Sequence, residues 1–536
     1  VSAAGGKAAH RGAHLGDFTV TPRMLLIAGW ALLVGAAGAG ASWLLLRLIA
    51  LVTNLVFFQR VSTEMTAPGG HHPWWLILFA PVAGGLVIGL MARYGSEKIR
   101  GHGMPEAIEA ILIGGSKVAP RVAGLKPVSA AISIGTGGPF GAEGPIIMTG
   151  GAIGSILAQL LRLSADERKT LLVSGAAAGM AATFNSPMAA VLLAVELLLF
   201  EWRPRSFVPV VAAVSVATVC RGYLLGKAPV FPVPTAGMHL TTSAEALCVV
   251  AGLTGGALAV AATWLVYRAE DAFAKLPFHW MWWPAIGGLI IGLGGLVEPR
   301  ALGVGYDVID QLLTGRATTS LIIGILVVKT LIWSLSLGSG TSGGVLAPVF
   351  MIGGALGAAE GLVLPHVMPG FWAMMGLAAV VGGVMRSPLT GVVFTLELTH
   401  AWSAGLPLLI SSTSAYALSA LLLKRSVLTE KIARRGLHLT REYSTDPLET
   451  FFVEEVMDRP AALPLQRTGE LPAVFVRPDD TLRQVAYLFA EQGVTEAAVL
   501  AHHPADQPIG VITLPHLLHA RRHDLTEEHH RERVLG

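Results

Sequence analysis

Apolar residues run in long blocks separated by short polar stretches. The stretch 24–58 is almost unbroken, and 74–92 forms a second run. As one helix the first would be about 52 Å long at ~1.5 Å per residue. A hydrocarbon core is about 30 Å thick, so this helix must tilt strongly or project beyond it. After residue 92 the pattern changes. Runs shorten and are interrupted by Gly, Pro and Ser: 107–113, 128–134, 146–161, 171–182, 188–200 and 207–219. Longer spans return at 244–266, 280–297 and 321–335, followed by short ones at 346–364, 371–384, 389–398 and 406–423. Short, Gly/Pro-broken segments in two corresponding parts of a chain predict a transporter with a midplane site.

The two parts resemble each other. Asn185-Ser186-Pro187-Met188-Ala189-Ala190-Val191-Leu192-Leu193-Ala194-Val195-Glu196-Leu197 lines up with Arg386-Ser387-Pro388-Leu389-Thr390-Gly391-Val392-Val393-Phe394-Thr395-Leu396-Glu397-Leu398. Gly141-Ala142-Glu143-Gly144-Pro145 lines up with Gly344-Val345-Leu346-Ala347-Pro348, and Gly150-Gly151-Ala152-Ile153-Gly154 with Gly353-Gly354-Ala355-Leu356-Gly357. The repeats run over about 25–230 and about 240–435. An odd number of spans in each would make them inverted.

Composition supports a polytopic membrane protein: 53% of the 536 residues are hydrophobic and 14% charged. A soluble domain carries about 25% charged residues. The formal charge of +3 gives no case for nucleic acid. Cys220 and Cys248 stand in apolar context and imply no disulfide framework. Residues 1–22 lack the basic-then-apolar order of a signal peptide and read as a cytosolic segment. Lys7, Arg11 and Arg23, and again Lys424, Arg425, Lys431, Arg434 and Arg435, place both ends in the cytoplasm by the positive-inside rule.

Glu143 is the residue this pattern does not absorb. It stands in Gly137-Gly138-Pro139-Phe140-Gly141-Ala142-Glu143-Gly144-Pro145, at the mouth of an apolar run. A carboxylate at membrane depth costs about 2.5–3.5 kcal/mol on insertion scales. Broken backbone there is tolerated only where protein or a water-filled path satisfies it. Gly101-His102-Gly103-Met104-Pro105-Glu106 opens another apolar helix. Such an entry leaves N–H groups free with the positive end of the helix dipole behind them, which attracts an anion. Gly141–Pro145 and Gly344–Pro348 repeat the theme. Converging helix N-termini can hold a dehydrated anion and still release it.

These three motifs, their order and the half-repeat resemble the CLC family of chloride channels and transporters over about residues 20–436. The resemblance implies an all-α polytopic membrane domain of CLC type over 23–436, with two inverted repeats of tilted, broken helices. It implies a homodimer with one pore per subunit, in the plasma membrane of a bacterium. By position, Glu143 is the gate and proton acceptor. Gly101, His102, Gly103, Met104 and Pro105 form the central anion loop. Val345 and Leu346, with Ala142, Glu143 and Gly144, supply amides to the outer anion site. Lys126 tunes the local potential. The expected substrate is chloride or another small anion, with protons as a second partner; no cofactor and no metal are expected.

Departures from the family pattern matter as much. His102 replaces a serine that contacts the central anion; a neutral imidazole donates one N–H. Leu428 stands where the family's pore tyrosine is expected, so the anion preference is open. Leu197 replaces the glutamate that receives protons from the cytosol in many family exchangers. Leucine cannot carry a proton, which favours passive conduction over proton-coupled antiport. Glu201, one helical turn on, is a possible surrogate; beside Arg203 and Arg205 it also reads as a helix-end surface charge. Glu196 and Glu397 match each other in the repeat and read as makers of structural hydrogen bonds.

Residues 437–452 read as a linker and 453–536 as a small α/β cytosolic module. Residues 453–522 resemble a single cystathionine-β-synthase-type (CBS-type) repeat, with a helix from Thr481 to about Gln492, strands at 497–500 and 509–513, and a last helix over 514–522. His516 stands where such repeats carry a ribose-binding acid, so adenine nucleotide is not an expected partner. His529 and His530 read as solvated. One reading of another class is an intramembrane serine protease, with Ser342 of Gly340-Thr341-Ser342-Gly343 as nucleophile and His400 as base; it leaves Glu143 and the repeat unexplained.

Overall fold

The computed structural model describes residues 22–235, 238, 240–436, 448, 451–458, 474–501 and 507–522. Lys7, Arg11, His529 and His530 lie outside the described residues, as does most of the 437–452 linker. The chain divides into two compact units, one spanning Thr19–Leu439 and one containing Thr440–Gly536.

The first unit is a double series of helices. One series reads α1 (Arg23–Phe57), α2 (Trp74–Tyr94), α3 (Met104–Leu112), α4 (Pro120–Gly135), α5 (Glu143–Leu160), α6 (Ala165–Phe184), α7 (Pro187–Ala194) and α8 (Pro204–Leu224). The other reads α9 (Thr242–Ala274), α10 (Trp283–Val297), α11 (Tyr306–Leu313), α12 (Thr319–Gly324) continuing into α13 (Thr330–Gly338), α14 (Leu346–Glu360), α15 (Phe371–Met385), α16 (Pro388–Thr399) and α17 (Gly405–Leu422). A six-residue helix, α18 (Thr429–Arg434), follows. The series match in length and in partners. Each opens on a very long helix, of 35 and 33 residues. α5 packs on α6 as α14 does on α15, α1 on α8 as α9 does on α17, and α2 on its counterpart α10. The repeat read from the motifs is therefore a repeat of whole helices.

Among the described residues, seven helices are long and apolar enough to cross a bilayer. The short apolar helices lie inside them. Every residue of α15 is buried, as is α6 from Thr170 to Phe184. A helix that is apolar all round has no face for solvent and packs on all sides. Most spans lie within a few residues of their apolar runs. They extend further where polar residues join the helix, at the start of α4, the end of α9 and the start of α6; there the Ser164 hydroxyl accepts from the Glu167 amide and the Glu167 carboxylate accepts from the Ser164 amide.

Among the described residues, two π turns interrupt the helices. One, Val195–Leu199, carries Glu196 and Leu197; the other, Ile325–Lys329, carries Lys329. Such bulges widen the helix and concentrate at functional positions.

The second unit holds a three-stranded sheet in the order β1-β2-β3. β1 (Phe475–Val476) runs parallel to β2 (Glu496–Leu500), which pairs antiparallel with β3 (Pro508–Thr513). The helix Leu482–Gln492 starts on a reciprocal cap between Thr481 and Gln484 and ends at Gly493 (φ 66°). Its apolar face joins Val453, Val499 and Ile512 in a small core. The two expected strands and the helices at 482–492 and 514–522 are present; the short β1 was not anticipated.

Candidate functional site

The site forms where two broken helices meet head to head. The backbone entering α5 and that entering α14 pair through Gly141 and Gly344, each N–H donating to the other's carbonyl at 3.3 and 2.7 Å. Glu143 is the first residue of α5 and is 2% exposed. Its carboxylate crosses to α14 and accepts a hydrogen bond from the Ala347 amide. The anionic group thus sits at the N-terminus of its own helix and of the facing one, where partial positive charge favours it. The motif glycines make the space: a Cβ on Gly141 would lie 1.8 Å from Glu143 Oε2, and one on Gly344 2.6 Å. Val345 caps α14 and Leu346 is its first residue, so the amides expected at the outer anion site stand directly before the Ala347 amide that takes the carboxylate.

The Gly101–Pro105 loop abuts this junction. Gly103, at φ 89°, caps α3, a conformation a side chain would strain. The Glu106 carboxylate accepts from the Gly103 N–H at 3.1 Å, and Pro105 occupies the first turn. A Cβ on Gly144 would lie 1.7 Å from the His102 carbonyl oxygen, so the loop and the first turn of α5 touch backbone to backbone. His102 is buried, and its Nδ1 has no hydrogen-bond partner. Ala142, Gly144, Val345 and Leu346 are also buried. The structure thereby gathers the Gly101, Gly141 and Gly344 motifs at one place.

Lys126 is buried and donates to the carbonyls of Ile99 and Gly101 at 2.8 and 2.7 Å. Its ammonium clamps the loop that presents His102. From the other side, Lys431 of α18 donates to Glu106 at 2.8 Å, with Arg435 at 3.7 Å from the same carboxylate. A cavity of about 400 Å³ leads to Gly101 and His102, lined by Arg100, Glu106, Tyr267, Glu270 and Lys431 among others. Leu428 lies in the apolar core beside Val427, whose carbonyl accepts the Tyr267 hydroxyl.

The proposed proton positions are arranged differently from one another. Leu197 is fully buried. Glu201 accepts from Ser206 at 2.5 Å and lies within 3.9 Å of Lys169, 3.6 Å of Arg203 and 3.8 Å of Arg205. Glu196 accepts from the Thr390 amide and hydroxyl at the start of α16. Glu397 accepts from the Met188 and Ala189 amides at the start of α7, at 3.0 and 2.8 Å. Each repeat thus caps a helix of the other. Ser342, the nucleophile of the protease reading, bonds to Ser129 at 3.0 Å and lies buried against Gly101, while His400 is an exposed residue at the end of α16.

Three residues escaped sequence reasoning. Ala347 supplies the amide that Glu143 uses. Lys329 is buried and donates to Ala301 and Gly303 at 2.8 and 2.7 Å, the contacts of Lys126 repeated on a second Gly-x-Gly loop. Tyr306 follows that loop as the first residue of α11, and its hydroxyl is buried without a partner. The available signal was the repeat: Lys329 stands as far from Lys126 as Gly344 does from Gly141.

Comparison with known proteins agrees with this arrangement. The family model described as voltage gated chloride channel matches residues 84–420. The chain is 28% identical over 426 residues to a ClcB-like protein of Ralstonia nicotianae, covering 77% of this chain and 97% of that one. It is 32% identical over 353 residues to the H(+)/Cl(-) exchange transporter ClcA of Citrobacter koseri, covering 61% of this chain and 72% of that one. Its fold is similar to that of a slow cyanobacterial Cl-/H+ antiporter, with a TM-score of 0.67 and 22% identity over 78% of this chain and 99% of the other. A membrane domain of two matched helical series, with a carboxylate between their broken helices and this family match over most of its length, belongs to the voltage gated chloride channel (CLC) family of anion transport proteins, and is no enzyme.

Proposed function

We propose that this protein exchanges chloride, or another small monovalent anion, for protons, with Glu143 as gate and proton acceptor. One observation carries the reading: the Glu143 carboxylate takes the Ala347 amide between two helix N-termini, where a permeating anion would bind. Carboxylate and anion compete for the same donors. Protonation removes the charge and with it a charge-assisted hydrogen bond, worth about 1.5–3 kcal/mol. The side chain then leaves and the anion enters. His102, buried and with its Nδ1 unpartnered, offers an N–H to the central anion in place of a hydroxyl, and Lys126 holds its loop.

The sequence alone leans to passive conduction, because Leu197 cannot carry a proton. The similarity to a ClcA named as an exchange transporter weighs the other way. Glu201 is held by Ser206 and three cations, which argues against it as a surrogate acid. Protons then reach Glu143 past Leu197 through water. Passive conduction stays as the second reading, supported by the burial of Leu197.

The protein works as a homodimer with one pore per subunit, in a bacterial plasma membrane, with both termini cytoplasmic. Residues 23–436 form the transport domain and 453–536 a regulatory CBS-type module. His516 accepts from the Thr513 amide at 3.0 Å and lies 3.4 Å from Asp458, which supports a structural rather than a ribose-binding role. The test is anion flux from liposomes with simultaneous proton recording. Glu143→Gln must abolish coupled proton movement and remove the pH dependence of anion flux. A Glu143→Gln protein that still pumps protons overturns the assignment.

A further inference from the structure

Besides the His102 Nδ1 already described, two further polar atoms near the junction are buried and have no hydrogen-bond partner: Glu143 Oε2 and the Tyr306 hydroxyl. A buried polar group without a partner needs an explanation, because leaving it unpaired is costly. The two lie in the same neighbourhood. Ala347, which holds Glu143 Oε1, and Met351 share one face of α14, four residues apart. That spacing is about 6 Å along the helix at ~1.5 Å per residue. Gly305 abuts Met351 so closely that a Cβ there would lie 2.5 Å from its sulfur, and Tyr306 is the next residue. The Glu143 carboxylate acts electrostatically on Tyr306 and on Lys329, and Asp307 acts on Lys329 in turn.

Tyr306 is held in place on its other sides. Gly305, at φ 80°, caps α11, and Lys329 clamps the loop before it through Ala301 and Gly303. Its ring packs edge-on against Phe231 with centroids 5.8 Å apart. It also borders a second cavity, of about 140 Å³, which shares no lining residue with the one at His102. A side chain that leaves the Ala347 amide toward this cavity meets the phenol.

We infer that Tyr306 is the docking partner of the released gate: when Glu143 is protonated and leaves Ala347, its carbonyl oxygen accepts a hydrogen bond from the Tyr306 hydroxyl. The two orphan groups are the halves of a bond formed in the other gate position. Tyr306 is a positioning residue for the anion path, and this inference rests on Glu143 being the gate. It explains why an aromatic with a hydroxyl stands where the ring alone would fill the space.

The test is Tyr306→Phe, which keeps the ring and its packing, measured as anion efflux from liposomes across pH. Losing one neutral hydrogen bond from the released state slows efflux about two- to tenfold. It also moves the midpoint of the flux–pH curve to lower pH by about the logarithm of that factor. Glu143→Ala serves as background, and there Tyr306→Phe adds no further change. Wild-type efflux in Tyr306→Phe, or an equal slowing with and without the Glu143 carboxylate, overturns the inference. A Glu143→Ala protein with wild-type pH dependence overturns the gate reading itself, which separates the two failures.

Discussion

Replacing Glu397 with alanine tests the cross-repeat caps and, through them, the separation of structural from proton-carrying acids. Glu397 accepts the Met188 and Ala189 amides at 3.0 and 2.8 Å, and it is 5% exposed. Alanine leaves both donors without an acceptor, and Ala189 is buried beyond the reach of solvent. Hydrogen bonds to a charged group contribute about 1.5–3 kcal/mol each, so the pair is worth about 3–6 kcal/mol. At ~2 °C per kcal/mol, the low end for a large domain, the unfolding midpoint falls by roughly 6–12 °C. The assay is thermal unfolding of the purified protein in detergent, followed by fluorescence and by size-exclusion loss. Glu196→Ala, which frees the Thr390 amide and hydroxyl, lowers the midpoint comparably, and the double variant departs from additivity because both caps join the same packed pair, α7 and α16. Glu196→Gln keeps an acceptor and leaves the ratio of anions to protons unchanged, although Glu196 is the neighbour of Leu197. A midpoint within about 2 °C of wild type for Glu397→Ala would refute the capping argument. A changed ratio in Glu196→Gln would refute the structural assignment of that acid.

Further outcomes follow from the same contacts. Gly141→Ala puts a Cβ 1.8 Å from a flexible carboxylate, so the fold survives and the gate is displaced; liposome flux at alkaline pH rises by roughly ten- to a hundredfold, the range for one charge-assisted hydrogen bond. Gly144→Ala instead meets the His102 carbonyl at 1.7 Å, backbone against backbone, and abolishes flux in a protein that still inserts, as judged by reconstitution yield. Leu197→Glu places an acid at the vacant proton position and speeds coupled proton flux while leaving passive anion leak unchanged; proton flux at or below the wild-type rate would show that delivery past residue 197 is not limiting.

Much of this molecule is legible in the chain because membrane helices announce themselves by composition. The α1 and α10 spans were read nearly to the residue, and the paired Gly motifs marked the junction that Glu143 occupies. Short amphipathic elements were not. α11 has eight residues, with Asp307 and Asp310 on its exposed side, and so shows no apolar run. α18 has six, and its Lys431 shows its purpose only against Glu106, far away in sequence. Lys329 vanished inside an apolar span because a lysine that satisfies backbone carbonyls needs no acidic partner in the sequence. That the Ala347 amide takes the Glu143 carboxylate depends on where α14 begins, which spacing alone does not give.

The most direct measurement of the central claim is proton movement driven by an anion gradient in liposomes containing the wild-type protein. Coupled exchange predicts that a chloride gradient drives protons uphill, and that Glu143→Gln abolishes this while anions still pass. Anion flux with no accompanying proton movement in the wild type would contradict the account and leave passive conduction in its place.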